Sequence, residues 1–178
     1  MAKSAKSIVA WTDVHDGATT ALCSAEPYNS ELDTTIKLNK IQKTLRHAWL
    51  DSIDELEQKP DLVVLNGEPI DGANRKQIGQ QSWSTNLEDQ MNDFMRLAKE
   101  IPYKNIMFVR GSLYHTGLDA TNFEEILANR LNAVKYRAYG GHGATDDFAF
   151  VEMYGKVFNF AHHIGFNKSP AYRTTALA

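Results

Sequence analysis

Apolar positions change period several times along the chain, and each change predicts an element. Ser7-Ile8-Val9-Ala10-Trp11-Thr12 predicts a short strand, with Asp13-Val14-His15-Asp16-Gly17 as its exit loop. From Thr35 to about Gln58, the residues Leu38, Ile41, Leu45, Trp49, Ile53 and Leu56 recur every three or four positions and make one helical stripe, which Pro60 stops. Asp61-Leu62-Val63-Val64-Leu65-Asn66 is a continuous apolar run of the kind buried on both faces of a parallel sheet. Residues 67–84 lack periodicity, and so long a loop in a compact domain is more often functional than idle.

Thr85-Asn86-Leu87-Glu88 has capping-box spacing, and Leu87, Met91, Phe94, Ala98 and Ile101 continue it as a second helix. Asn105 to Arg110 reads as a third apolar strand, after which Thr121-Asn122-Phe123-Glu124 caps a third helix through about Leu131. Phe148 to Met153 and Val157 to Ala161 flank Tyr154-Gly155-Lys156 as a hairpin expected to join the sheet. Ser169-Pro170 then opens a helix that is cut off at Ala178. The alternation predicts an α/β fold: a mostly parallel β-sheet with flanking helices and a C-terminal antiparallel hairpin.

The 178 residues suit one domain rather than two, and 43% hydrophobic with 23% charged residues excludes a disordered or low-complexity chain. Nineteen Lys+Arg against 22 Asp+Glu, a net charge of -3, give no overall cationic footprint for nucleic acid or anionic lipid. Cys23 is the sole cysteine, which excludes an intramolecular disulfide, a CxxC pair and a cysteine-rich zinc module. With no secretory signal and no membrane-spanning run, a cytoplasmic protein is expected, in the host cytoplasm if virus-encoded. Cys23 reads as a small loop or core residue, and Trp83, Asn74, Arg75 and Lys76 as solvated loop residues.

Ligand crevices of open α/β sheets lie beyond the carboxyl ends of the strands. That rule selects Asp13 and His15, then Glu68 and Asp71, then Ser112 and His115, then His162 and His163. Asp13 and His15 are two apart and in extended backbone would project to one side. Carboxylate and imidazole donors without thiolate suit Mn²⁺, Fe or Zn²⁺. Two such ions about 3.5–4 Å apart would clamp a phosphate and activate a water, so phosphoester hydrolysis is the reaction expected.

In this order the motifs resemble the calcineurin-like metallophosphoesterase superfamily, in a phage-type branch. Asp13-Val14-His15 fits its Asp-x-His block; Gly67-Glu68 stands for Gly-Asp, and Gly111-Ser112-Leu113-Tyr114-His115 for Gly-Asn-His. The resemblance implies a truncated α/β/β/α sandwich, a single domain over residues 1–178 that is incomplete at its C-terminus because the Gly-His-x-His block is missing. It implies one or two divalent ions, Mn²⁺ first with Zn²⁺, Fe or Ni²⁺ as alternatives, on Asp13, His15, Glu68, Ser112 and His162 or His163. Glu68 would bridge the ions and His115 would act as general acid. The substrate would be a phosphomonoester or phosphodiester in a nucleotide, nucleic acid or phosphoprotein, with no membrane partner. The rival expectation is a non-catalytic metal-binding or interaction protein that keeps the fold. A flavodoxin-like nucleotide-binding domain ranks last, since no GxGxxG or GxxxxGK[ST] follows any strand.

Overall fold

The computed structural model describes residues 6–73, 79–112, 115, 122–134 and 145–162. Four parallel strands, β1 (Ile8–Trp11), β4 (Leu62–Asn66), β5 (Ile106–Val109) and β6 (Thr145–Asp146), lie side by side in chain order. Ile8 sits opposite Leu62, Val63 opposite Ile106, and Phe108 opposite Thr145. Helix α1 (Lys40–Asp54) connects β1 to β4, α2 (Leu87–Ala98) connects β4 to β5, and α3 (Phe123–Arg130) connects β5 to β6. A sheet that adds strands in one direction through crossovers of one hand places all its helices on one face. The packing has this form: Val63, Leu65, Ile106 and Phe108 meet Met91, Phe94, Leu97 and Leu127, with Trp49 and Ile53 of α1 against the same cluster.

The other face is covered by a hairpin. Strands β7 (Phe148–Met153) and β8 (Lys156–Ala161) pair antiparallel from Phe148 opposite Ala161 to Met153 opposite Lys156. Tyr154 and Gly155 take φ of 52° and 72°, so both turn positions are left-handed, as a two-residue hairpin turn requires. The hairpin was expected to join the sheet. Instead it forms its own two-stranded sheet and stacks Ala149 and Val151 on Leu62, Val64, Met107 and Val109. Alternation along β4 and β5 makes this work, because each strand sends one set of apolar side chains to the helices and the other to the hairpin.

Element boundaries moved where side-chain caps compete with propensity. The first helix begins at Lys40, because Thr34–Thr35 (β3) instead pairs with Tyr28–Asn29 (β2) and Asn39 makes the capping box with Gln42. Its last helical residue is Asp54, four positions before the expected end. The second and third helices are capped by Asn86 and Asn122 rather than by the threonine before each. Trp83, expected in solvent, is buried, and Cys23 is fully buried. The truncated helix after Ser169-Pro170 lies outside the described residues.

Candidate metal centre

Asp13, His15 and Glu68 have φ of 53°, 51° and 54°. The left-handed region is uncommon for residues other than glycine, and such strain concentrates at functional sites. Asp13 and His15 therefore do not share a side through extended backbone as expected; two left-handed residues re-aim them. The strained loops are zipped together: Asp13 N donates to Gly67 O at 3.3 Å, His15 N to Glu68 O at 2.9 Å and Asp16 N to Pro69 O at 3.0 Å. The loop after β1 and the loop after β4 thus hold one another in register.

Glu68 stands at the centre. It is 6% exposed, and His15 Nε2 lies 2.9 Å from its Oε2 while His162 Nε2 lies 3.3 Å from its Oε1. Ser112 donates to Oε1 through its hydroxyl and, at 3.3 Å, through its backbone N–H. Burial pushes the Glu68 carboxyl up, but the hydrogen bonds from His15 and Ser112 and the nearby imidazoles outweigh it and hold the group well below the usual carboxylate range. His15 moves the other way: burial lowers it, yet the bond to Glu68 and the charges of Glu68, Asp71 and Asp13 raise it overall.

Two histidines are oriented by backbone. His162 Nδ1 lies 2.7 Å from Asn66 O, and His115 Nδ1 lies 2.6 Å from Asp71 O. A carbonyl can only accept, so each Nδ1 carries the hydrogen that meets it. Fixing the far ring nitrogen on a carbonyl is the usual support of a metal-binding histidine. His162 Nε2 faces a Glu68 carboxylate oxygen at 3.3 Å, a pairing that a proton or a cation between them makes favourable.

The donors fall into two groups that share Glu68. His15, Glu68 and His115 offer ligand atoms all within 4.8 Å of one another, and so do Asp13, Glu68 and His162. The donor set is carboxylate and imidazole, a set that could hold a metal ion. Of the residues expected from sequence, Asp13, His15, Glu68, His115 and His162 are brought together. Ser112 comes in beside them with its hydroxyl on Glu68. Asp71 is buried behind, its Oδ1 3.9 Å from His15 Nδ1 and 3.8 Å from His115 Nδ1. His163 lies outside the described residues.

Sequence reasoning missed Glu124. It is 1% exposed, its Oε1 accepts from Glu68 N at 2.9 Å, and its two oxygens accept from Gly111 N at 3.1 and 2.9 Å. One carboxylate thus staples together the loops that follow β4 and β5. Burial pushes its carboxyl up to about 7, against the pull of the N–H donors of Gly111 and Glu68. As the third residue after Thr121 it read as a capping partner; with Asn122 as the cap it turns inward instead.

Close approach demands glycine at both strand ends. At Gly67, φ +84°, a Cβ would lie 2.5 Å from His162 Cγ and 2.9 Å from Gly111 Cα; at Gly111 one would lie 2.7 Å from Glu68 Cγ. These contacts let β4, β5 and β8 converge on one point. No family model, curated protein or solved structure matches the chain.

Proposed function

We propose that the protein is a divalent-metal-dependent phosphoesterase of the calcineurin-like metallophosphoesterase type. The observation that carries this reading is the pair of three-donor groups sharing the buried Glu68 at the carboxyl ends of parallel strands. Asp13, Glu68 and His162 would hold one cation, and His15, Glu68 and His115 a second. A divalent cation bound there supplies Lewis-acid chemistry, offsetting phosphate charge and making water a better nucleophile at neutral pH.

The chain's own groups do the rest. Ser112 fixes the Glu68 carboxylate, and the Asn66 and Asp71 carbonyls fix the tautomers of His162 and His115. In hydrolysis, water adds at phosphorus, the bond from phosphorus to the alcohol oxygen breaks, and that oxygen leaves with a proton, which a protonated His115 would deliver. An Nε2 that ligates a cation cannot also carry that proton, so metal stoichiometry decides the role of His115. His115→Gln that keeps full metal content but loses turnover identifies it as the acid. The overall test is Mn²⁺-dependent hydrolysis of an aryl phosphate by the protein and by Asp13→Asn. Equal rates in the two discard the assignment.

A second reading is favoured by the hydrogen bonds on Glu68, which His15 and Ser112 satisfy without a cation. In that reading the protein binds metal or a partner without turning over phosphoesters. Metal retained after dialysis with no hydrolysis identifies it.

A further inference from the structure

A cavity of about 580 Å³ opens directly beside the candidate metal centre. That is the size range of sites for small molecules. Its lining combines Asp13, His15, Asp71 and His115 with the apolar Trp11, Leu22 and Leu45. The apolar part is rigid at its base, because the Trp11 ring stacks on Trp49 at 4.5 Å and on Phe94 at 5.3 Å. At the rim, Leu45 of α1 remains 37% exposed. No lysine or arginine lines the cavity among the described residues, while two carboxylates do.

These facts bear on the substrate. A polyphosphate, or a nucleic-acid backbone with several phosphates, needs cationic partners beyond the candidate metal centre, and the described residues of this cavity offer carboxylates instead. A single phosphate at the centre, joined to an uncharged apolar or aromatic alcohol, meets donors at one end and hydrocarbon at the other. The geometry points to this cavity as the leaving-group site for phosphomonoesters of apolar, aryl-type alcohols. The inference rests on the phosphoesterase reading, and it extends that reading by naming the substrate class and the residues that select it.

The test separates the two. Binding of 1-naphthol to the metal-free protein, followed by calorimetry and tryptophan fluorescence, probes the cavity alone. Hydrolysis of 1-naphthyl phosphate, glycerol phosphate and ATP with Mn²⁺ probes selection. Leu45→Glu places a charge in the apolar part of the lining, and Thr20→Trp fills the cavity from its exposed rim without touching the core. Each is expected to weaken naphthol binding and kcat/KM for naphthyl phosphate roughly 10-fold or more, with little change for glycerol phosphate. Thr20→Trp keeps the test sound if Leu45→Glu fails to fold. Absence of naphthol binding, or equal kcat/KM for the three phosphates, overturns the inference. Naphthol binding that both variants weaken, with no hydrolysis of any phosphate, supports the cavity and overturns the phosphoesterase reading.

Discussion

Replacing Gly67 by alanine tests whether the convergence of strand ends shapes the candidate metal centre. The residue has φ +84°, where an L side chain costs about 1–2 kcal/mol. Its new methyl would also lie 2.5 Å from His162 Cγ and 2.9 Å from Gly111 Cα, neither of which is the far end of a flexible chain. Overpacking of this kind costs about 1–3 kcal/mol, so the whole loss should be about 2–5 kcal/mol. At this chain length it corresponds to a fall in Tm of about 4–20 °C. Gly155→Ala is the internal control: φ is +72° and nothing lies within 4 Å of the added methyl, so only the conformational cost of about 1–2 kcal/mol remains. Urea unfolding of both variants at unchanged m gives the difference. Because the clash falls on His162, Gly67→Ala should also weaken Mn²⁺ binding at the group of Asp13, Glu68 and His162, measured by calorimetry. A Gly67→Ala protein no less stable than Gly155→Ala, with undiminished Mn²⁺ affinity, would refute the crowding argument.

Other outcomes follow from the same geometry. Mn²⁺ at 100 times its Kd should raise stability by about 2.7 kcal/mol, or Tm by roughly 5–10 °C; Glu68→Gln, which removes the donor shared by both groups, should abolish the shift, whereas His162→Ala should leave part of the bound metal detectable by mass spectrometry. Glu124→Gln removes one acceptor oxygen from the loop staple and should cost about 1–3 kcal/mol in urea unfolding at pH 5. The Glu124 carboxyl is raised from 4.5 to about 7, so the folded state holds its proton longer than the unfolded state and metal-free stability should fall as pH rises through that window, by up to about 3 kcal/mol; a pH series in EDTA on which Glu124→Gln has no flattening effect contradicts this. Burial, with Asp16 and Asp93 nearby, pushes the Cys23 thiol well up, so a disulfide reagent at pH 8 should label it only in denaturant; rapid labelling of the native protein would show that it is not sealed in the core.

The sequence was readable where one residue type answers to one force. Leu62 to Leu65 and Ile106 to Val109 are apolar because both faces are covered, and the strand-end rule then selects Asp13, His15, Glu68 and His162 without any coordinates. It was not readable where structure comes from partners distant in sequence. Thr145–Asp146 carries no apolar signal and becomes a strand because Phe108 and Val109 offer it a free edge. In β7 it is Ala149 and Val151 that do the packing, while Phe148 stays 46% exposed, because the contact is set by the opposing face of β4 and β5. Glu124 is invisible for a related reason: its partners are backbone N–H groups of two distant loops, and an acidic residue in the first turn of a helix already has a local explanation. Among the described residues no helix is long and apolar enough to cross a membrane, as the hydropathy pattern suggested.

Asp13 follows the first strand and His162 follows the last described one, yet both belong to the group completed by Glu68. During synthesis the early donors leave the ribosome long before the histidine that completes their set. A cation held at that group would therefore have to wait until the closing hairpin has emerged and docked, since a nascent chain halted before it would offer only two of the three donors.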